Sequence, residues 1–265
     1  MKRKISITLS ESVLLDIDSI VDNVYIRNRS QAIEHLVSSA AGENKTAVIL
    51  CGGGDLCIGK GVFRPTAKIG KSTVIEMALR KLRQNNFKQI SIVAMHDVLT
   101  AIFSLLKDGT DFGVQLHYIE EKEGKGTAHT LSYMKGKITS NFLVVYGDIL
   151  FDPINLEELW KQHLRENAVA TLLLTPSDTP STKGAVTIEG NKVLTFSQKE
   201  KDAQEFLVFS AIFVSGPEIF DYSGVSLENN VFTALAHKGL LHGYVSSKKE
   251  VHIHSAEDAK KYKDA

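Results

Sequence analysis

Two cysteines in 265 residues, Cys51 and Cys57, are too few for a disulfide framework and too irregularly spaced for a zinc site. A reducing, cytoplasmic setting is the simplest one for such a chain. Net charge is missing as well, because 31 Lys and Arg balance 31 Asp and Glu. No global field draws the chain to DNA or to a membrane, so any nucleic-acid contact has to come from a local patch. Nowhere do roughly eighteen apolar residues run together, so no membrane-spanning helix is expected. Ser6, Thr8, Ser10 and Glu11 break what would be the apolar core of a signal peptide. Internal repeats and low-complexity tracts are also absent. What is present is ordinary: 43% apolar and 23% charged residues, and enough chain for one large domain plus a small one.

The first forty residues differ in pattern from the rest. From Lys4 onward Ile5, Ile7 and Leu9 alternate with Lys4, Ser6 and Thr8, which predicts a strand over 2–9. Ser10 then precedes Glu11 and an amphipathic run with Val13, Leu14, Ile17, Ile20 and Val21 on one face, a capped helix. Asn28-Arg29-Ser30 opens a second helix with Ala32, Ile33, Leu36 and Val37 on one side. So short a segment buries a core only with a partner. The order of signals resembles the ribbon-helix-helix DNA-binding family, in which two chains pair their first strands into a ribbon that enters the major groove. That resemblance implies a homodimer through the ribbon, or a higher-order assembly of such dimers, bound to double-stranded DNA. Lys4, Ser6 and Thr8 would face base edges, Lys2 and Arg3 the backbone, and the Ser30 end of helix two a phosphate. The alternative is a ribbon that dimerises without meeting DNA. Residues 1–44 carry five basic and six acidic side chains, so the segment is not basic overall.

Residues 42–45 read as a linker between this first domain, 1–41, and a second, 46–265. Strands are predicted at 46–50, 88–95, 114–119, 141–146 and 168–174, and helices at 72–86, 97–106, 127–135 and 155–166. The alternation argues an α/β layered domain with a mainly parallel sheet. Beyond Thr182 shorter strands follow at 184–188, 192–197, 206–214 and 243–253, with a last helix from Ala256. Phe206, Phe209, Phe213 and Phe220 are expected to pack on the sheet, and Trp160 to fill core. His163 and His237 are expected on helices as surface or core residues.

The apolar run Thr46–Leu50 ends in Cys51-Gly52-Gly53-Gly54-Asp55, a setting in which backbone amides approach phosphate oxygens. Gly54 to Lys60 has the spacing of a Walker loop, but Gly61 stands where the metal-binding hydroxyl belongs and Val62-Phe63-Arg64-Pro65 follows instead of a helix. Gly70-Lys71-Ser72 does precede a helix, but Pro65 occupies the place of the first glycine. Neither is a P-loop. The order strand, glycine loop, Arg64-Pro65, then Gly70-Lys71 to Glu76 ahead of a helix resembles the nucleoside-diphosphate-sugar pyrophosphorylases, the sugar-1-phosphate nucleotidyltransferases. Gly126-Thr127-Ala128 is similar to the turn with which that family reads the base, with Glu121 at a position where glutamine is common. Leu143–Asp148 is similar to its strand ending in Gly-Asp, and Phe196–Lys199 to its Phe-x-Glu-Lys.

That resemblance implies a Rossmann-like, GT-A type three-layer domain with a mixed sheet. It implies attack by a sugar-1-phosphate oxygen on the α-phosphorus of a nucleoside triphosphate, with Arg64, Asp148 and Lys199 as catalytic residues. Leu50, Gly52, Gly53, Gly54, Lys60, Glu121, Gly126, Thr127 and Asp148 would meet the nucleotide. Asp148 would hold Mg²⁺, and His252 falls where the family has a second carboxylate ligand. Imidazole suits Zn²⁺ and other transition metals better than Mg²⁺, so another divalent metal shared by Asp148 and His252, with His254 on the same strand face, stands beside the plain reading of two strand histidines. Leu56-Cys57 also replaces the family's Thr-Arg after the glycines. Two functions follow, the first taken as the main reading and the second as its alternative. One is a DNA-binding transcriptional regulator whose transferase-like domain binds a nucleotide or nucleotide-sugar as effector. The other is an active nucleotidyltransferase with an appended ribbon. The lost Thr-Arg and His252 favour the regulator; Arg64, Gly147-Asp148 and Lys199 favour the enzyme.

Overall fold

The computed structural model describes residues 5–21, 26–33, 36–37, 45–52, 54, 56–59, 61–199 and 206–263. Lys2, Arg3, Lys4, Gly53 and Lys60 lie outside them. The chain divides into two compact units, Met1–Asn44 and Lys45–Ala265.

In the first unit, helix α1 spans Glu11–Ile20 and buries Ile17. Ser10 stands extended at its start, but its hydroxyl pairs with that of Ser12 at 3.1 Å and does not cap the helix. The Asn28 side chain takes the capping role for the second helical stretch, accepting the Gln31 N–H at 3.0 Å. Arg29 grips Asp18 with two bonds of 2.6 and 2.7 Å, tying that stretch to α1. The expected strand over 2–9 is not formed among its described residues: 5–9 have no regular structure and join no ladder, with Ile5 77% and Ile7 51% exposed. A strand needs a ladder partner, and a single chain supplies none here.

The second unit is built on a nine-stranded mixed sheet. Its strands are β1 (Lys45–Cys51), β2 (Phe87–Ala94), β3 (Gln115–Glu120), β4 (Phe142–Tyr146), β5 (Ala170–Pro176), β6 (Gly184–Glu189), β7 (Lys192–Gln198), β8 (Leu207–Ser215) and β9 (Leu241–Val245). Their order is β5-β9-β7-β6-β8-β4-β1-β2-β3, with β5 also paired to β8. Strands β4, β1, β2 and β3 run parallel, and β8 joins β4 antiparallel.

Five longer helices complete the layers: α2 (Val74–Gln84), α3 (His96–Leu106), α4 (Thr127–Ser132), α5 (Leu156–Arg165) and, after the short α6 (Thr233–His237), α7 (Ala256–Lys263). Strand β1 shows why its sequence reads as an unbroken apolar run. Ala47, Ile49 and Cys51 face one core, with residues of α2, α3 and α5, while Val48 and Leu50 face the other, with α4 and a cluster of Phe209, Phe213 and Phe232. A strand covered on both faces has no polar side to show.

Helix α2 starts later than the predicted 72–86, because Thr73 and Glu76 close a capping box: Thr73 N–H reaches Glu76 Oε2 at 2.6 Å and Glu76 N–H reaches Thr73 Oγ1 at 3.4 Å. Gly70-Lys71 is therefore the turn of a small hairpin, Lys68–Ile69 with Ser72–Thr73, and not the mouth of the helix. The strand predicted over 243–253 is two separate pieces, β9 and Val251–His252. The second piece pairs with Ile149–Leu150, directly after β4. A π-helical turn at Leu227–Phe232 carries no sequence pattern that announces it. Phe206 is 77% exposed and does not pack on the sheet, whereas Phe209 and Phe213 do, and Phe220 stacks on Phe142. Trp160 is buried edge-on to Phe87, His163 is buried, and His237 is exposed.

Candidate active site

The chain leaves β1 for β2 and β3 on one side and returns to β4 on the other, so the strand order reverses at β1. In an open α/β sheet that reversal opens a crevice at the carboxyl ends of the two flanking strands. Here those ends are Cys51-Gly52 and Tyr146-Gly147-Asp148. Both glycines are required by close approach. A Cβ on Gly147 would lie 2.2 Å from Cys51 Sγ, and one on Gly52 would lie 1.8 Å from Glu121 Oε2. Leu50 keeps its side chain in the core and uses its carbonyl to accept the Gly147 N–H at 2.9 Å, locking the two loops together. Cys51 is fully buried, and burial with Asp148 nearby pushes its thiol far up, so it is packing and not a nucleophile.

Asp148 is largely buried and its Oδ2 accepts a 3.1 Å bond from Arg64 Nη1. Arg64 is delivered by a 3-10 turn, Arg64–Thr66, whose first N–H bonds the Leu56 carbonyl at 2.9 Å. A cavity of about 380 Å³ opens beside Asp148, and Lys199, Lys183, Glu228, His252 and His254 share its lining. Two of its residues sit in left-handed backbone, Lys199 at φ 53° and Ala211 at φ 55°. Ala211 lies between the part of β8 that pairs with β6 and the part that pairs with β4. Strain of this kind concentrates at functional sites.

Glu228, on the π-helical turn, is a hub. Its carboxylate accepts bonds from Tyr146 Oη, from Thr127 Oγ1 at 2.6 Å and from Ser226 Oγ at 2.8 Å. Burial, then the neighbouring Glu228 charge, holds the Tyr146 phenol far above its usual range. Thr127 also accepts the Leu227 N–H at 2.8 Å, so its hydroxyl fastens the 126–128 turn to the π-helical turn. Gly126 lies against Val225, whose carbonyl oxygen would be 2.6 Å from a Cβ there. Glu121 is buried over Gly52, accepts from Thr130 Oγ1 at 2.8 Å and has His129 Nδ1 at 3.5 Å. Gly54 lines a second cavity of about 390 Å³ with Cys51, Met95 and Asp97.

The structure thus brings Asp148, Lys199 and His252 to one cavity, with Arg64 bonded to Asp148 and Thr127 bonded to the cavity-lining Glu228, while Glu121 and Gly126 share the Thr130 hydroxyl next to the glycine loop. Lys183, Glu228, Tyr146 and Glu250 were missed by sequence reasoning, since a single charged or aromatic residue at a strand end carries no spacing signal. Glu250 stands behind the cavity. Burial alone would raise its pKa, but the bond from His252 and the Lys183 charge hold it at about 2.

The donor set does not fit Mg²⁺ held between two carboxylates. Asp148 is spent on Arg64, and the facing groups are imidazoles, which Mg²⁺ disfavours. His254, not His252, is the histidine near Asp148, with Nδ1 at 3.8 Å, and burial lowers its pKa. His252 turns Nε2 to Glu250 at 3.3 Å, and the two histidine rings stack at 5.2 Å. Among the described residues no three His, Cys, Asp or Glu side chains converge on a metal position. No helix among them is long and apolar enough to cross a membrane.

The profile of the Nucleotidyl transferase family matches residues 46–259. The chain belongs to that family. A UTP–glucose-1-phosphate uridylyltransferase of Synechocystis is 30% identical over 198 residues, which are 67% of this chain and 50% of that protein. A mannose-1-phosphate guanylyltransferase of Mycobacterium tuberculosis is 27% identical over 147 residues, 53% of this chain and 41% of the relative. The chain therefore spans about half the length of the curated relatives it matches. Among solved structures, HddC from Yersinia pseudotuberculosis superposes with a TM-score of 0.70 at 19% identity, covering 83% of this chain and 98% of that one. The mixed α/β nucleotidyltransferase fold expected from the motifs is the fold observed. The first forty-five residues lie outside the family match.

Proposed function

We propose that the chain transfers a nucleotidyl group from a nucleoside triphosphate to a sugar 1-phosphate. The observation that carries this reading is the placing of Asp148 and Lys199 on one cavity at the carboxyl ends of β1 and β4, with Arg64 bonded to Asp148 behind it. In the reaction, a phosphate oxygen of the sugar 1-phosphate bonds to the α-phosphorus, the bond from that phosphorus to the β-phosphate bridge breaks, and pyrophosphate leaves with its electron pair. Negative charge builds on the non-bridging oxygens, so preorganised cations lower the barrier. Lys199 and Lys183 supply them from one wall, and Arg64 is held in place by Asp148. Relatives named for both uridylyl and guanylyl transfer leave the base to experiment.

The test measures pyrophosphate release with each of the four nucleoside triphosphates and a panel of sugar 1-phosphates, in Mg²⁺ and in Mn²⁺. One productive pair is expected, with Lys199→Ala lowering kcat about a hundredfold. No release from any pair overturns the reading.

A second reading is favoured by two observations: Asp148 is already paired, and imidazoles stand opposite it. In it the large unit binds a nucleotide or nucleotide-sugar as effector, and residues 1–41 pair with a second copy to contact DNA. Exposed Ile5 and Ile7 are the face such pairing would cover. The protein should then shift duplex DNA from its own promoter region in a salt-sensitive manner, and Thr8→Ala combined with Lys4→Ala should abolish the shift. A shift that survives both changes removes this assignment.

A further inference from the structure

Among the described residues, three buried side-chain polar atoms have no hydrogen-bond partner: Arg64 Nε, Gln198 Oε1 and Glu250 Oε2. Each such atom in a folded protein calls for an explanation, and these three gather at one place. Gln198 lines the cavity beside Asp148, while Arg64 and Glu250 each hold a residue that lines it.

Glu250 is the centre of the arrangement. Its side chain is 0% exposed, and its Oε1 takes both Lys183 Nζ at 3.0 Å and His252 Nε2 at 3.3 Å. Lys183 in turn accepts the Lys199 N–H on its carbonyl at 2.9 Å, which fixes the left-handed Lys199 backbone. One buried carboxylate thus aligns two cavity-lining groups directly and a third through the main chain. Asp148, the carboxylate that could attract a hard cation, already has its Oδ2 bonded to Arg64 Nη1, with His254 Nδ1 at 3.8 Å from the same oxygen. His252 has its Nε2 committed to Glu250 and is not turned to Asp148. Ammonium groups bind phosphate oxygens as readily as they repel metal ions.

We propose that protein cations, chiefly Lys183 and Lys199 aligned by Glu250, hold the phosphate of the ligand in this cavity, and that its binding needs no divalent metal. Glu250 is a positioning residue in this scheme. The inference rests on the reading that a phosphate-bearing ligand occupies the cavity.

The probe is inorganic pyrophosphate, titrated calorimetrically into the full chain in EDTA and again in Mg²⁺. Binding is expected in EDTA, with an affinity that stays level or falls in Mg²⁺, because the metal competes for free pyrophosphate. Glu250→Gln keeps the shape and removes the charge, and should weaken binding in EDTA by about tenfold, with partial recovery in Glu250→Asp. Should E250Q fail to fold by circular dichroism, Lys183→Met carries the same expected loss. Wild-type binding seen only with Mg²⁺, or unweakened binding by E250Q or K183M in EDTA, overturns the inference alone. Absence of pyrophosphate binding in both buffers overturns the transferase reading with it.

Discussion

His163 offers a quantitative test of the core beneath α5. It is buried, its Nδ1 pairs with Thr171 Oγ1 at 2.9 Å, and Glu166 and His242 form an ion pair nearby. Burial, partly offset by Glu166 and reinforced by His242, lowers its pKa from 6.5 to about 4. Between those values the unfolded chain binds a proton that the folded chain refuses, so stability rises with pH across this window. The contribution is fully present above the unfolded value and is lost as pH falls through the folded one. Linkage gives a loss of about 2 kcal/mol by pH 5 and about 3 kcal/mol by pH 4. The comparison variant combines His163→Leu with Thr171→Val, which removes the titrating group without stranding the hydroxyl. Urea denaturation at pH 7, 5.5 and 4 should show the gap between wild type and variant closing, or reversing, by those amounts as pH falls. A constant gap from pH 7 to pH 4 would refute the assignment of a neutral, buried His163.

Two further outcomes follow from contacts at the two ends of β1. Gly147→Ala should cost about 1–3 kcal/mol, because its Cβ would meet Cys51 Sγ at 2.2 Å. Cys51→Ala in the same chain should return much of that, a coupling of roughly 1 kcal/mol or more by double-mutant cycle, and strict additivity would contradict it. At the start of β1, buried Lys45 pairs with Glu157 and lies 5.5 Å from the ring centres of both Phe87 and Trp160. Glu157→Ala strands a buried cation and should lower stability by about 2–3 kcal/mol, whereas Lys45→Met should cost less than about 1 kcal/mol; the opposite order in thermal melts would refute the electrostatic account.

Strand β1, the glycine loop and the position of Asp148 at the carboxyl end of β4 were legible in the sequence because one physical rule generated each signal. A strand covered on both faces is apolar throughout, and Gly52 and Gly147 stand where a Cβ would meet Glu121 Oε2 and Cys51 Sγ. Lys183 and Glu250 are different. Lys183 and Glu250 are separated by 66 intervening positions and meet only because Val251–His252 pairs with Ile149–Leu150, so no local pattern links them. The division of 243–253 into two strands has the same origin, since both pieces are β-prone and only their partners differ. Phe206 misled because an aromatic residue entering a strand reads as core until its face is known. The strand expected over 2–9 is not formed among its described residues, and Lys2, Arg3 and Lys4 lie outside them.

The strands that carry the site are also the spine of both cores, since β1 and β4 supply the glycine loop and Asp148 and separate the two apolar clusters. Opening the cavity by local unfolding would therefore dismantle the whole large unit. Binding and global unfolding become linked equilibria, so a ligand at a hundred times its Kd should stabilise the fold by about 2.7 kcal/mol. For a unit of this size that is an upward shift in Tm of roughly 5–10 °C. The melting temperature thus acts as a readout by which candidate ligands for the cavity can be ranked against one another.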